Sequence, residues 1–354
     1  MIISRTPFRI SFFGGGTDYP AWYRHHGGSV LATTIDKYCY LSCRYLPPFF
    51  DHRIRVVYSK IEMCQTAEGV AHPAVREVLK YLQVERGIEI HHDGDLPARS
   101  GMGSSSAFTV GLLHALHGLH GRMPGKHQLA VEGIAIEQDR LRENVGSQDQ
   151  VLAAYGGFNH VVFYPNDRIS VVPITLKPER VDELNSHLML FYTGIKRTAS
   201  DVAQSYVNNL EARGEEVNLL SEFVDRGIEI LAGGKSIRLF GELLGEAWQA
   251  KKKFSPMVSN PQVDEIYREA LAAGAVGGKL MGAGGGGFIL LFAPPGKHAE
   301  IKKRLEKLIW VPFRFEYSGS QIIFFDPEND YSAEDMARAR KPVAVFSELG
   351  DKEG

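Results

Sequence analysis

The chain has 354 residues, of which 44% are hydrophobic and 23% charged, and its formal net charge is -2. These values are typical of a globular protein and argue against disorder, and the near-neutral charge gives no attraction to nucleic acid or to a membrane. No apolar stretch approaches the ~20 residues of a membrane-spanning helix, and no apolar signal region is present. Cys39, Cys43 and Cys64 are too few for a disulfide framework. We therefore expect a cytoplasmic protein.

The hydrophobic pattern predicts strands and helices that follow one another along the whole chain. Strands are predicted at residues 8–13, 38–45, 53–58, 88–92, 158–164, 169–174, 188–192, 288–292 and 312–317. Helices are predicted at about 75–82, 104–119, 128–143, over most of 199–273, and at 298–310. We expect the strands at 38–45 and 53–58 to pair as a hairpin. The pattern predicts an α+β fold with two domains, residues 1–182 and 183–354.

The strongest functional signal is the phosphate loop, residues 97–107, which lies between a predicted strand and a predicted helix. Its glycines allow a ligand to approach the backbone closely, and its serines lie where a helix N-terminus exposes unpaired N–H groups. Such a loop predicts a site for the phosphates of a nucleotide. The predicted ATP-binding residues are Pro97, Arg99, Ser100, Gly101, Met102, Gly103, Ser104, Ser105 and Ser106. A flexible loop capped by serine is the alternative for this segment alone.

A second glycine-rich segment, residues 7–19, consists of a strand that ends in three glycines. Gly15 and Gly16 are followed by Thr17, Asp18 and Tyr19, which offer hydroxyl-binding groups at the end of the strand. Arg9 stands inside this apolar strand, where a partly buried guanidinium needs an anionic partner. A purely structural ion pair is the alternative explanation for Arg9.

A third glycine-rich segment lies at residues 282–287. Gly282, Gly284 and Gly287 match the dinucleotide-binding pattern, but the following element is a predicted strand instead of a helix, so NAD binding is rejected. We predict instead that Gly282, Gly284 and Gly285 form a tight structural turn that is pressed against another loop or a phosphate.

Two carboxylates complete the set of candidate residues. Glu137 takes an apolar position on a helical face with Ala130, Ile134 and Leu141, so it needs a cation or hydrogen-bond partners. Asp149 follows twelve residues later. Two carboxylates near a phosphate loop suit Mg2+ binding and the alignment of a hydroxyl nucleophile. A buried salt bridge and a helix cap are the alternative.

Together, the three glycine-rich segments and the carboxylates resemble the GHMP kinases over nearly the whole chain. The resemblance implies two α+β domains, an active site in the cleft between them, and ATP and Mg2+ as substrate and cofactor. It implies that Arg9 lies beside the reacting phosphoryl group and that Asp149 receives or orients the proton of the substrate hydroxyl. Ser105 and Glu137 would hold Mg2+. Gly15 and Gly16 depart from the family pattern, which usually has Glu-His there.

The resemblance also suggests a substrate. Residues 14–20, 33–37 and 192–199 are most similar to bacterial members that phosphorylate the anomeric hydroxyl of D-glycero-D-manno-heptose 7-phosphate, for GDP-heptose and capsule synthesis. The implied substrate-binding residues are Gly15, Gly16, Thr17, Asp18, Tyr19, Lys196 and Arg197, with Lys37 and Arg44 as further candidates for the sugar's phosphate. Surface charge without a ligand is the alternative for those four cations.

Three other functions fit parts of the pattern. The first is another sugar-1-kinase, acting on fucose, galactose or an N-acetylhexosamine. The second is an ATP-coupled decarboxylase, which the sugar-kinase residues 17–19 and the pair of Glu137 and Asp149 disfavour. The third is an inactive sugar sensor, which the intact Arg9, Ser105, Glu137 and Asp149 disfavour. The expected partners are small molecules, the sugar phosphate and ATP, without nucleic acid or membrane, and a homo-oligomer stays open.

Overall fold

The computed structural model describes residues 1–195 and 213–327, together with residues 202, 204, 205, 210, 331, 333, 334 and 337. The first half of the chain contains β1 (Ile2–Phe13), α1 (Pro20–His26), β2 (Gly28–Tyr45), β3 (Ile54–Val57), β4 (Ile61–Cys64), α2 (Pro73–Tyr81), β5 (Ile88–Gly94), α3 (Ser104–Leu119), α4 (Lys126–Ile134), α5 (Gln148–Tyr155), β6 (Phe158–Phe163) and β7 (Ile169–Pro173). The second half contains α6 (Pro178–Ser186), β8 (Leu188–Tyr192), α7 (Gly214–Ala232), α8 (Arg238–Lys252), α9 (Pro261–Ala272), β9 (Gly277–Leu280), β10 (Phe288–Phe292), α10 (His298–Arg304), β11 (Ile309–Val311), β12 (Phe315–Glu316) and β13 (Gln321–Phe325).

The strands of the described residues form two sheets. The larger has nine strands, with the path β13–β1–β2–β5–β3–β4 and with β12, β6 and β7 attached through β2. The long strand β2 allows this branching because its first half pairs with β6 and its second half with β5. The smaller sheet has the order β11–β8–β10–β9. Strands β12 and β13 bring the C-terminal part of the chain into the larger sheet, and the division into residues 1–182 and 183–354 stays a prediction.

Helix α3 packs against β1 and β2 and positions the phosphate loop. It is buried over most of its length because nearly all of its residues between Ser106 and His117 are apolar. Gly111 lets the helix lie close to the sheet, since a Cβ there would stand 2.8 Å from the Thr6 hydroxyl. The start of α3 and the inner part of β1 are joined where the Arg9 N–H donates to the Met102 carbonyl at 3.1 Å. The phosphate loop therefore lies directly over the strand that carries Arg9.

The predicted hairpin of residues 38–45 and 53–58 is wrong. Strand β3 pairs in parallel with β5 and antiparallel with β4, while β5 lies between β3 and β2. Ile88, Glu89 and Ile90 of β5 are buried in succession, as expected for a strand inside a sheet with both faces covered. Alternation in a sequence gives the faces of a strand but not its partner, so β5 could not be placed in this way.

Two predicted elements end earlier than expected. The helix predicted at 128–143 is α4, followed by a π-helical segment over Ala135–Arg140 in which the Leu141 N–H donates to the Ile136 carbonyl at 2.9 Å. The helix predicted at 298–310 ends at Arg304, and β11 begins before the end of that range. Of the strand predicted at 312–317, only β12 is present. None of the helices in the described part of the chain is long and apolar enough to cross a membrane. Cys39, Cys43 and Cys64 are not joined by disulfide bonds.

Candidate active site

The phosphate loop is closed by its own hydrogen bonds. The Ser100 hydroxyl donates to the Pro97 carbonyl at 2.7 Å, and the Arg99 N–H donates to the Ser104 hydroxyl oxygen at 3.1 Å. The Ser100 side chain therefore stabilises the turn of the loop, and the Arg99 backbone is hydrogen-bonded to the first residue of α3.

The glycines of the loop turn the chain into α3. Gly101 and Gly103 have φ values of +82° and +74°, which glycine adopts without a steric penalty. The first bond of the helix runs from the Ala107 N–H to the Gly103 carbonyl at 2.9 Å. The preceding N–H groups at the helix N-terminus are therefore left for an anion, in a field that favours negative charge.

Arg9 and Asp149 form a fork at one side of the loop. Nε and Nη2 of Arg9 each donate to a different oxygen of Asp149 at 2.6 Å, and Nη1 donates to the Gly101 carbonyl at 2.6 Å. The anionic partner expected for Arg9 is thus Asp149, in the bidentate geometry that holds a carboxylate most firmly. A Cβ at Gly103 would lie 3.4 Å from the Asp149 carboxylate. The fork therefore stands next to the phosphate loop.

Glu137 is buried behind the serines of the loop. Its carboxylate accepts hydrogen bonds from Ser106 at 2.8 Å, from Thr109 at 3.0 Å and from the Gln150 side chain. Burial raises the pKa of Glu137 to about 7, although the Ser106 and Gln150 hydrogen bonds oppose that shift. Ser106 and Thr109 make the contact with α3, while Ser105 is exposed on the wall of the cavity. The pairing of Ser105 with Glu137 at a metal therefore stays a prediction.

The donors around Glu137 fit Mg2+. The described residues place no cation within ion-pair distance of this buried carboxylate, and two of its three hydrogen-bond partners are hydroxyl groups, which are hard oxygen ligands. No group of three or more His, Cys, Asp or Glu side chains that could hold a metal occurs in the part of the chain described. Mg2+ bound with nucleotides commonly takes only one or two carboxylates and completes its shell with phosphate and water.

Asp18 is held near Asp149 by backbone groups. Its carboxylate accepts from the Gly16 N–H at 2.9 Å and the Gln148 N–H at 3.2 Å. Burial raises the pKa of Asp18, and these hydrogen bonds oppose that shift. A Cβ at Gly146 would collide with the carboxylate. Thr17 serves the turn itself, since its hydroxyl lies 2.9 Å from the Gly14 carbonyl.

The third glycine-rich segment is pressed against the phosphate loop. A Cβ at Gly282 would stand 2.6 Å from the Cα of Gly101, and one at Gly101 would stand 2.6 Å from the Met281 carbonyl oxygen. The Phe288 N–H also donates to the Ser100 carbonyl at 3.3 Å. The predicted turn against another loop is present in the structure, and the loop is the phosphate loop.

Two lysines that sequence reasoning missed face the same space. Lys279 donates to the carbonyls of Ser11 and Phe12 at 2.9 and 2.8 Å, and burial lowers its pKa well below the usual value. Lys251 donates to the Gly282 carbonyl at 2.6 Å, and burial together with the nearby Arg9 cation lowers its pKa to about 8.

These groups line one cavity of about 350 Å³. The predicted residues that line it are Arg9, Gly15, Gly16, Asp18, Tyr19, Arg99, Gly101, Gly103, Ser104, Ser105, Ser106, Glu137, Asp149 and Gly282. Those described that do not line it are Thr17, Lys37, Arg44, Pro97, Ser100, Met102, Gly284 and Gly285. Lys37 and Arg44 are paired with Asp36 and Glu89. Lys196 and Arg197 lie outside the described residues.

The site combines an anion-binding loop, a fixed carboxylate and a guanidinium, and two family models match the chain that carries it. The GHMP kinases N-terminal domain matches residues 66–157, and the GHMP kinases C-terminal model matches residues 228–308. The chain belongs to the GHMP kinase family, and it is an ATP-dependent kinase.

The relatives refine this class. The D-glycero-alpha-D-manno-heptose 7-phosphate kinase of Campylobacter jejuni is 30% identical over 324 residues, which cover 86% of this chain and 93% of that protein. The bifunctional fucokinase/GDP-fucose pyrophosphorylase of Arabidopsis thaliana is 29% identical over 230 residues, covering 62% of this chain and 21% of that protein. The crystal structure of a D-glycero-D-manno-heptose 1-phosphate kinase from Bacteroides thetaiotaomicron has a TM-score of 0.75 at 25% identity, covering 92% of this chain and all of that one.

Proposed function

We propose that this kinase transfers the γ-phosphoryl group of ATP to the anomeric hydroxyl of D-glycero-D-manno-heptose 7-phosphate. The observation that carries the proposal is the Asp149 carboxylate, which the Arg9 fork fixes beside the N-terminus of α3. The names of two relatives support the sugar, since both are kinases of a phosphorylated manno-heptose.

Each of the site residues has a separate role in an in-line phosphoryl transfer. The N–H groups at the start of α3 bind the phosphates of ATP, and the Arg9 guanidinium offsets charge on the group in transfer. Asp149 accepts a hydrogen bond from the acceptor hydroxyl and orients it for attack. Asp18 binds another hydroxyl of the sugar. Mg2+ held near Glu137 and a serine of the loop would neutralise charge on the phosphates.

The product would be the 1,7-bisphosphate, which would lead to GDP-heptose for capsule or another surface polysaccharide. We place the enzyme in the cytoplasm, where ATP is available. Lys196 and Arg197 are proposed to receive the 7-phosphate, because a phosphate already on the substrate calls for a basic receptor.

A second candidate is a sugar-1-kinase for an unphosphorylated sugar such as fucose. The similarity to the bifunctional fucokinase/GDP-fucose pyrophosphorylase of Arabidopsis favours it, and fucose, like the heptose, offers an anomeric hydroxyl. Asp18 and Asp149 would serve either sugar, so the two candidates differ in the need for a phosphate receptor.

A substrate panel separates the two candidates. ATP consumption is measured with heptose 7-phosphate, mannose 6-phosphate, fucose and galactose, and the product is identified by phosphorus NMR. We expect the highest kcat/KM for heptose 7-phosphate and a product with phosphate on C1 and C7. Turnover of fucose or galactose alone would establish the second candidate, and no turnover of any phosphorylated sugar would refute the first.

A further inference from the structure

Lys251 places an ammonium group in the wall of the catalytic cavity. It belongs to the last turn of α8, and its side chain lines a small adjoining space together with Gly15, Gly16, Leu220 and Phe254. This space lies between the first glycine-rich segment and α7. Lys251 therefore lines both this space and the catalytic cavity, an arrangement in which a lysine packs its aliphatic stem against apolar side chains and keeps its head in polar surroundings.

The head is only partly satisfied by the protein. An ammonium has three N–H donors, and among the described residues one acceptor, the Gly282 carbonyl at 2.6 Å, is found for it. Burying a charge without an ion-pair partner is costly. Because the Lys251 head borders the polar cavity, its remaining donors are directed to whatever fills that cavity.

The neighbouring carboxylates are engaged elsewhere. Both oxygens of Asp149 accept from Arg9, and the oxygens of Asp18 accept from backbone N–H groups. No carboxylate within the described ranges lies at ion-pair distance from Lys251, whereas its neighbour Lys252 pairs with Asp264 at 3.2 Å. Lys251 therefore carries a charge with no ion-pair partner among the described residues, and the more distant Asp18 and Asp149 offset that charge only in part.

We propose that Lys251 binds a phosphoryl oxygen in the cavity, as a second cation beside Arg9. The position supports a phosphoryl group because the helix N-terminus of α3 and the Arg9 guanidinium face the same space and also favour an anion. The oxygen has two sources, the γ-phosphoryl group of ATP or the phosphate on the sugar. The inference rests on the proposed function only for the second source.

Three variants test this role. Lys251→Met keeps the length of the stem and removes the charge, Lys251→Arg keeps the charge, and Lys252→Met removes a charge one residue away, outside the cavity. For each we would measure kcat and both KM values, together with calorimetric binding of a non-hydrolysable ATP analogue and, separately, of heptose 7-phosphate.

The two sources give different results. If Lys251 binds the phosphoryl group in transfer, Lys251→Met lowers kcat by about 10²-fold with the sugar phosphate bound as in the wild type. If it binds the phosphate of the sugar, the Kd for heptose 7-phosphate rises at least about tenfold and analogue binding is unchanged. In either case Lys251→Arg restores part of the loss. All parameters of Lys251→Met within about threefold of those of Lys252→Met would overturn the proposal.

The outcome can be separated from a failure of the proposed function. If the panel identifies another sugar, the same measurements are made with that sugar, and an effect on kcat supports Lys251 whatever the acceptor is. A thermal unfolding curve accompanies each variant. Should Lys251→Met fail to fold, Lys251→Gln is subjected to the same comparison with Lys252→Met.

Discussion

The contact between two glycine-rich segments gives a prediction that separates backbone strain from displacement of the phosphate loop. In Gly282→Ala the new Cβ would stand 2.6 Å from the Cα of Gly101, where ordinary contacts begin at 3.4 Å. The neighbouring atom is backbone, so the two segments must move apart by the 0.8 Å difference. A misplacement of about 1 Å at a reacting centre costs about 10²-fold in rate. We therefore expect kcat/KM to fall by about that factor.

The substitution also has a conformational cost, and the chain offers a control for it. Gly282 has a φ of +70°, and Gly234 has a φ of +67° with no atom within 4 Å of the position that a Cβ would take. Alanine in the left-handed region costs about 1–2 kcal/mol at either position. Gly234→Ala should therefore show this conformational loss of stability without the backbone clash, and it should keep its activity.

The assay is a comparison of kcat/KM for ATP with the midpoint of urea unfolding in both variants. The reasoning predicts that Gly282→Ala loses at least as much stability as Gly234→Ala, and that only Gly282→Ala loses activity. If Gly282→Ala retained a kcat/KM within about threefold of that of Gly234→Ala, the third segment would not position the phosphate loop.

Three further predictions concern single side chains. Asp149→Asn should abolish turnover but retain ATP binding, which calorimetry measures. Asp167→Asn is the control and should be active, because the Asp167 carboxylate pairs with Arg24 at the surface. Near-normal turnover in Asp149→Asn would show that Asp149 has no role in the mechanism. Glu137→Gln should raise the Mg2+ concentration for half-maximal activity at least about tenfold, and an unchanged Mg2+ titration would argue against a metal at Glu137. Burial lowers the pKa of His114 from 6.5 to about 4. Between these two values His114 is protonated in the unfolded chain and neutral in the folded protein, so the free energy of unfolding falls as the pH is lowered from 6.5 to about 4. Because His114 is partly exposed, its share of the loss between pH 7 and 5 should be about 1 kcal/mol, and His114→Gln should lack that share in urea unfolding at both pH values.

Much of the local structure could be predicted because it depends on neighbours in sequence. The phosphate loop needs glycine before the first turn of α3, and that helix begins at Ser104 as predicted. Glu137 interrupts an apolar stripe, so a demand for partners could be read from spacing alone. The partners themselves, Ser106, Thr109 and Gln150, depend on how α3, α4 and α5 pack, which spacing does not show.

Lys251 shows the same limit of prediction from spacing alone. Phe240, Leu244, Trp248 and Lys251 recur at helical spacing, so Lys251 lies on the buried face of α8 by the reasoning that was applied to Glu137. The buried position of Lys251 is hard to recognise in the sequence because residues 251–253 are all lysine, and a run of lysines at a helix end is usually solvated. Only the fold shows that this face of the helix ends at the catalytic cavity.

Lys279 explains why residues so distant in sequence form one site. Its ammonium, on β9 of the smaller sheet, donates to the Ser11 and Phe12 carbonyls of β1 in the larger sheet. The pairing of β1 with β2 shifts register between Ser11 and Phe13, which is where regular ladder bonds are interrupted and carbonyls need other donors. The lysine supplies them, and it precedes Gly282 by three residues. The end of the Arg9 strand and the segment that supports the phosphate loop are therefore fixed relative to one another through one buried lysine.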